Sequence, residues 1–211
     1  MDAVRETRSQ RKHGDIMRAA TAAFIAKGYE GASMDEIAAS AGVSKQTLYK
    51  HFADKDRLFE EIVLATAGRV DRIVVLAGAP LAESNDVADD LKALARAMLS
   101  TLMDEELLKL RRLVISSAGR APKLGRAWYE QGFERVLTTL AGAFKRLSER
   151  GLLATHNPLV AANHFVGMLL WIPLNEAMFT GEMNYRSSRQ RNSMADVASE
   201  AFLRAYGPER R

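Results

Sequence analysis

The stretch Ser33–Phe52, SMDEIAASAGVSKQTLYKHF, decides the fold. It holds two short amphipathic runs, one carrying Met34, Ile37, Ala38 and Ala41, the other Leu48 and Phe52. Ser33 and Glu36 stand at capping-box spacing before the first run, and Ser44 caps the second. Gly42 lies between them, where a tight turn calls for a positive φ. A capped helix, a glycine turn and a second short helix form the layout of a helix-turn-helix. Ala38 and Ala41 are small enough for the two helices to cross closely, and Val43 and Leu48 anchor the second against the first. The face left over offers Lys45, Gln46, Thr47, Tyr49 and Lys50, donor-rich or methyl-bearing side chains of the kind that meet phosphates and base edges in the major groove.

Working outward, Ile16, Ala20, Ala23 and Phe24 form the buried stripe of a preceding helix that stops at Gly28. Its approach is basic: Arg5, Arg8, Arg11, Lys12 and Arg18 stand against Glu6 and Asp15, five positive charges to two negative. Downstream, Asp54 caps a long fourth helix through Leu58, Ile62, Ala65, Val70 and Ile73, ending near Gly78-Ala79-Pro80. Further helices are expected over 86–103, 105–117, 122–150, 158–179 and 189–206. Pro122 and Pro158 stand in first turns, and Gly151 follows a basic last turn. No alternating strand pattern occurs. The expected fold is therefore all-α: a three-helix helix-turn-helix head over 1–56, joined by the long helix to a helical body over 57–211.

The segments Ala32-Ser33-Met34-Asp35-Glu36-Ile37-Ala38 and Ala41-Gly42-Val43-Ser44-Lys45-Gln46-Thr47-Leu48-Tyr49-Lys50-His51-Phe52 closely resemble the N-terminal signature of TetR/AcrR regulators. The flanking Ala-Phe-Ile-Ala-Lys-Gly-Tyr at 23–29 and Asp54-Lys55-Asp56-Arg57-Leu58-Phe59 match it as well. The resemblance implies Ser33, Ser44, Lys45, Thr47, Tyr49, His51 and Lys55 as contacts to double-stranded operator DNA, and Lys50 joins them on charge. Gln46 departs from the pattern, which often has glycine there. It either reads adenine bidentately or faces solvent. In the body, residues 107–114 and 122–130 are similar to AefR-like members, which implies a ligand-responsive homodimer, commonly a repressor.

The helix expected over 158–179 is apolar on two faces. Leu159, Ala162, Val166, Leu169 and Pro173 follow one stripe; Val160, His164, Met168, Trp171 and Asn175 follow the other. A helix with two apolar faces packs against its own core and something more. The resemblance makes that a partner subunit, through this helix and the one over 189–206, where Ala195, Ala198, Ala201 and Ala205 offer a seam for close approach. Pro173 is expected to kink the helix. Met98, Leu102, Leu110, Val114, Trp128, Phe133, His164, Met168, Trp171 and Asn175 are candidates for the lining of an apolar effector pocket; core packing is the plainer role for each. His164 and Asn175 read first as hydrogen-bonded structural or interface positions.

Composition narrows the alternatives. The 211 residues are 47% hydrophobic and 27% charged, with a net charge of +4 and no cysteine. That range suits a folded domain, permits a nucleic-acid partner and excludes thiolate metal sites. The N-terminus lacks the apolar core of a secretory signal, and the apolar run 165–174 is half the length of a membrane span, so a cytoplasmic protein without a membrane segment is expected. His13, His51, His156 and His164 form no metal-spaced pair, and no phosphate loop appears. Neither a cofactor nor an enzymatic function is expected. A helical interaction module that has lost DNA binding is the other alternative, and the basic face from Lys45 to Lys55 argues against it.

Overall fold

In the computed structural model, which describes residues 8–182 and 187–208, every regular element is helical. The order is α1 (Arg8–Gly31), α2 (Met34–Ser40), α3 (Lys45–His51), α4 (Lys55–Ala82), α5 (Val87–Leu102), α6 (Glu105–Ser117), α7 (Pro122–Trp128), a π-helical segment (Tyr129–Glu134), α8 (Arg135–Glu149), α9 (Pro158–Thr180) and α10 (Ser188–Tyr206). Two compact units form. One comprises the described residues of Met1–Thr66 with Lys109–Trp128, the other those of Ala67–Leu108 with Tyr129–Arg211, so α4 and α6 each contribute to both.

The first unit is organised around Phe24, Ile37, Leu48, Phe59 and Ile62, all buried. Phe24 packs on Phe59 with ring centroids 5.0 Å apart. Leu110, Leu113 and Val114 of α6 and Leu124 of α7 complete the same apolar cluster. The sequence reading had grouped these residues with the body, because periodicity reveals which face of a helix is buried but not what it is buried against. Regular α geometry in α1 breaks at Gly28, whose φ is +73°, and one further helical turn reaches Gly31. Gly42 has a φ of +65°, the left-handed conformation that its turn requires.

The second unit packs α5, α8, α9 and α10 around three buried rings, Phe144, Phe165 and Phe202. Phe202 lies 5.0 Å from Phe144 and 5.2 Å from Phe165, stacked on the first and edge-on to the second. Arg96 grips Asp196 with two donors at 2.7 and 3.0 Å, tying α5 to α10. Arg150 donates to the carbonyls of Ala82 and Ser84, which lie just past and at the end of α4.

Four helical details differ from the sequence reading. The span 122–150 is not one α-helix, because the six-residue π segment interrupts it. That extra width occurs where Gly132 approaches α4 so closely that an added Cβ would stand 3.6 Å from the Ala67 Cβ. Arg135, just beyond, reaches the buried Asp71 carboxylate at 2.8 Å. Second, α4 continues to Ala82 through Pro80. Third, α10 begins one residue earlier than expected, set by a reciprocal capping box of Ser187 and Gln190. Fourth, the alanine seam of α10 faces inward: Ala195 and Ala198 are buried in their own unit beside Ser199 and Phe202.

Helix α9 separates its two faces cleanly. Ala162, Phe165, Val166, Leu169 and Pro173 are buried, whereas Val160, His164, Met168 and Trp171 are exposed, Trp171 by 69%. Leu159, expected on the buried stripe, is 48% exposed because it lies in the first turn, at the margin of the core. The helix runs through Pro173 to Thr180. By length and composition its 23 residues, with mean hydropathy 1.2, would suffice to cross a membrane. Counting only the run 165–174 therefore understated its apolar length.

Candidate nucleic-acid interface

Helix α3 is fixed from within and open from without. Leu48 is fully buried, and Val43 and Ala41 pack against the same core. Ser44 caps the helix by accepting from the Thr47 amide at 3.1 Å, and the two hydroxyls share a further hydrogen bond of 2.9 Å. These contacts set the axis and rotation of the helix. Gln46, Tyr49 and Lys50 then point into solvent. Among the described residues, no hydrogen bond or ion pair engages Gln46 or Lys50.

Lys45 behaves differently, because its ammonium stands 2.6 Å from the Asp35 carboxylate of α2. Both groups are well exposed, so the pair is worth under about 1 kcal/mol and a phosphate can replace the aspartate at little cost. Ser33 caps α2 by accepting from the Glu36 amide at 3.2 Å. The second half of the expected box is absent. Glu36 turns instead to Lys27 at 2.8 Å, and that lysine holds the carboxyl below the usual glutamate range.

Ser33, Tyr49 and Lys55 share one surface groove of about 560 Å³, which the Asp35 and Asp54 carboxylates also line. Lys55 has a task that the sequence did not disclose. Its ammonium donates to the Ala32 carbonyl at 3.2 Å and sits 4.6 Å from the centre of the Tyr29 ring. It thus ties the end of α1 to the start of α4 while one donor remains available. His51 closes α3 beside His13, with ring centroids 5.9 Å apart. His13 in turn stacks on Phe52 and meets Glu61 at 2.9 Å. Only the fold brings those two histidines together, since 13 and 51 share no helix. Of the basic approach, Arg8 and Arg11 are exposed and Arg18 pairs with Asp15, while Arg5 and Glu6 lie outside the described residues.

All nine residues singled out for DNA therefore sit on α2, α3 or the start of α4, or cap those helices. The candidates for an effector pocket do not share one place. Met98 and Leu102 are buried in the second unit, whereas Leu110, Val114 and the half-buried Trp128 belong to the core of the first. Phe133 lies in the π segment, stacked on Tyr129 at 5.6 Å. His164, Met168 and Trp171 occupy the outer face of α9. His164 is hydrogen-bonded through Nδ1 to the Tyr206 hydroxyl, and Asn175 Nδ2 donates to the Trp171 carbonyl at 2.7 Å. Among the described residues, no group of three or more His, Asp or Glu side chains could hold a metal ion.

Residues 16–62 match the family model for bacterial regulatory proteins of the tetR family, and residues 89–208 match that for the C-terminal domain of AefR-like transcriptional repressors. A solved TetR-family transcriptional regulator from Mesorhizobium loti MAFF303099 is 56% identical, with 96% of this chain and 100% of that one covered and a TM-score of 0.89. The flavonoid-responsive regulator FrrA is 28% identical over 95% of this chain and 99% of its own, with a TM-score of 0.74. The HTH-type transcriptional activator FasR of Mycolicibacterium smegmatis is 39% identical over 87 residues, 41% of this chain and 38% of its own length. The HTH-type transcriptional regulator TcmR of Streptomyces glaucescens matches over 44% of its length, so the chain spans about two fifths of these curated relatives.

Proposed function

The chain belongs to the TetR family of DNA-binding transcriptional regulators, and from that premise we propose that it is a cytoplasmic homodimeric repressor, released from a palindromic operator by an apolar or amphipathic effector. Residues 1–56 carry the DNA contacts, and 57–211 carry dimerisation and effector binding. Ser33, Ser44, Lys45, Thr47, Tyr49, Lys50, His51 and Lys55 meet the DNA, and Gln46 reads a base. The partner subunit docks on α9 and α10.

The observation that carries this reading is the outer face of α9. Val160, Met168, Trp171 and Ile172 form an exposed apolar row opposite an equally apolar buried row. An exposed row of that size marks a surface that a second molecule covers. A two-fold dimer supplies the cover and also the two recognition helices that an inverted repeat requires. The same row accounts for the apolar length of α9 without a membrane.

Release follows from α4, which contributes residues to both compact units. A bound effector that tilts α4 changes the spacing of the two recognition helices and forfeits contacts at one half-site. Coupling of about 1–3 kcal/mol corresponds to a 5- to 150-fold loss of operator affinity, and operator DNA must weaken effector binding by the same factor. Repression fits the AefR-like description of the body, while the activator FasR among the relatives supports an activating arrangement as the second reading. The test is a gel shift on the chain's own upstream region at increasing salt, with sedimentation of the complex. Two copies per site and a steep fall in affinity with salt are expected. A monomer on DNA, or binding indifferent to salt, would contradict the reading.

A further inference from the structure

Helix α6 carries a charge that nothing in the protein answers. Arg111 Nε is completely buried and, among the described residues, has no hydrogen-bond acceptor. No carboxylate among them pairs with the side chain either. Burial lowers the guanidinium below its ordinary value, with no opposing acidic influence. Arginine does not shed its proton under such conditions, so the charge stays and its desolvation goes uncompensated. The other buried polar atom of comparable standing, Asp71 Oδ1, differs in kind, because that carboxylate is already neutralised by Arg135 through its second oxygen.

The surroundings specify what would satisfy Arg111. On a helix the neighbours of position 111 are 107, 108, 114 and 115. Leu107, Leu108 and Val114 are buried, and Ile115 is a large apolar side chain left 61% exposed. A fork of donors beside an apolar strip fits a molecule with an acidic head and an apolar tail, since a planar guanidinium and a carboxylate meet bidentately. Leu110, Leu113 and Val114 of the same helix lie in the core of the first unit, the one that holds α3. Occupation of Arg111 would therefore bear directly on the DNA-binding unit.

We propose that the effector is a small organic acid whose carboxylate seats on the Arg111 guanidinium with its apolar tail along Ile115. This rests on the reading of the chain as an effector-released regulator. The unpaired arginine is then a binding group held at the expense of stability in the empty protein.

The experiment compares decanoate, methyl decanoate and decylamine, each below its aggregation concentration, on the full chain. Thermal melting and affinity for a selected operator are measured for the wild type, Arg111→Met and Arg111→Gln. Decanoate should raise the melting temperature and weaken operator binding by about 5- to 150-fold, and the ester and amine should do neither. Both variants should lose at least about nine tenths of the decanoate effect. Arg111→Met, without additive, should melt about 2 °C or more above the wild type, because an uncompensated buried charge is gone. Equal release by ester and acid, an undiminished decanoate effect in the variants, or a lower melting point for Arg111→Met would each overturn the inference while leaving release by an effector standing. If no compound in the series changes operator affinity, the release reading fails and takes the inference with it. Should a variant not fold, the acid and ester on the wild type still decide the matter.

Discussion

Helices α3 and α9 are built on one plan and differ in what they leave outside. Each buries a narrow row, Leu48 in α3 and Phe165 and Leu169 in α9, and each presents an opposite row to solvent. On α3 that row is Lys45, Gln46, Tyr49 and Lys50; on α9 it is Val160, Met168, Trp171 and Ile172. The buried rows fix orientation, and the outer rows select partners of opposite chemistry. A polar, cationic row is stable in water and gains further from phosphate, so its complex depends on salt. An apolar row is unfavourable in water and gains by being covered, so its complex should persist in salt.

That contrast can be broken from either side. The largest effect is expected on α9. Trp171→Asp with Ile172→Asp should weaken the dimer by about 1,000-fold or more, because carboxylates would be buried without partners in an apolar contact. Sedimentation equilibrium measures it, and an unchanged dimer would remove α9 from the interface. Leu48→Ala attacks the inner row of α3. Loss of a fully buried leucine should destabilise the first unit by about 2–5 kcal/mol, read by denaturant melting, whereas the dimer should remain.

Smaller effects sharpen the α3 side. Gln46→Gly should relax selectivity at one base pair by about 1–3 kcal/mol, seen as a changed logo in binding-site selection. An identical logo would make Gln46 a solvent-facing residue. Lys55→Ala should weaken binding to all sequences alike, and because Lys55 also ties α1 to α4, a modest loss of melting temperature should accompany it. The smallest change is Ser44→Ala, which removes one cap and should cost about 1 kcal/mol of stability.

The first unit was the more legible in sequence for the same reason that its site is compact. Caps, a positive-φ glycine and the spacing of Leu48 are local signals, and they position α2 and α3 without reference to distant residues. The body depends on pairings that local signals do not carry. Nothing in the apolar period of 105–128 indicates that Leu110, Val114 and Leu124 join the core around Phe24 and Phe59. The π segment was equally hidden, since its cause is the approach of Gly132 to Ala67, far apart in the chain. The alanine seam of α10 was seen correctly as a surface for close packing, but its partners are in its own unit. Two apolar stripes on α9 were visible from spacing, and which of them remains outside required the fold.

The most direct test of the account counts protein copies on DNA. Operator fragments selected by the wild type from random sequence are mixed with the wild type and with the Trp171→Asp, Ile172→Asp variant, and each complex is weighed by sedimentation. The account predicts an inverted repeat bound by two wild-type copies, with the variant folded yet failing to hold the full site at the same concentration. A single unrepeated site held by one copy, equally well by both proteins, would contradict it.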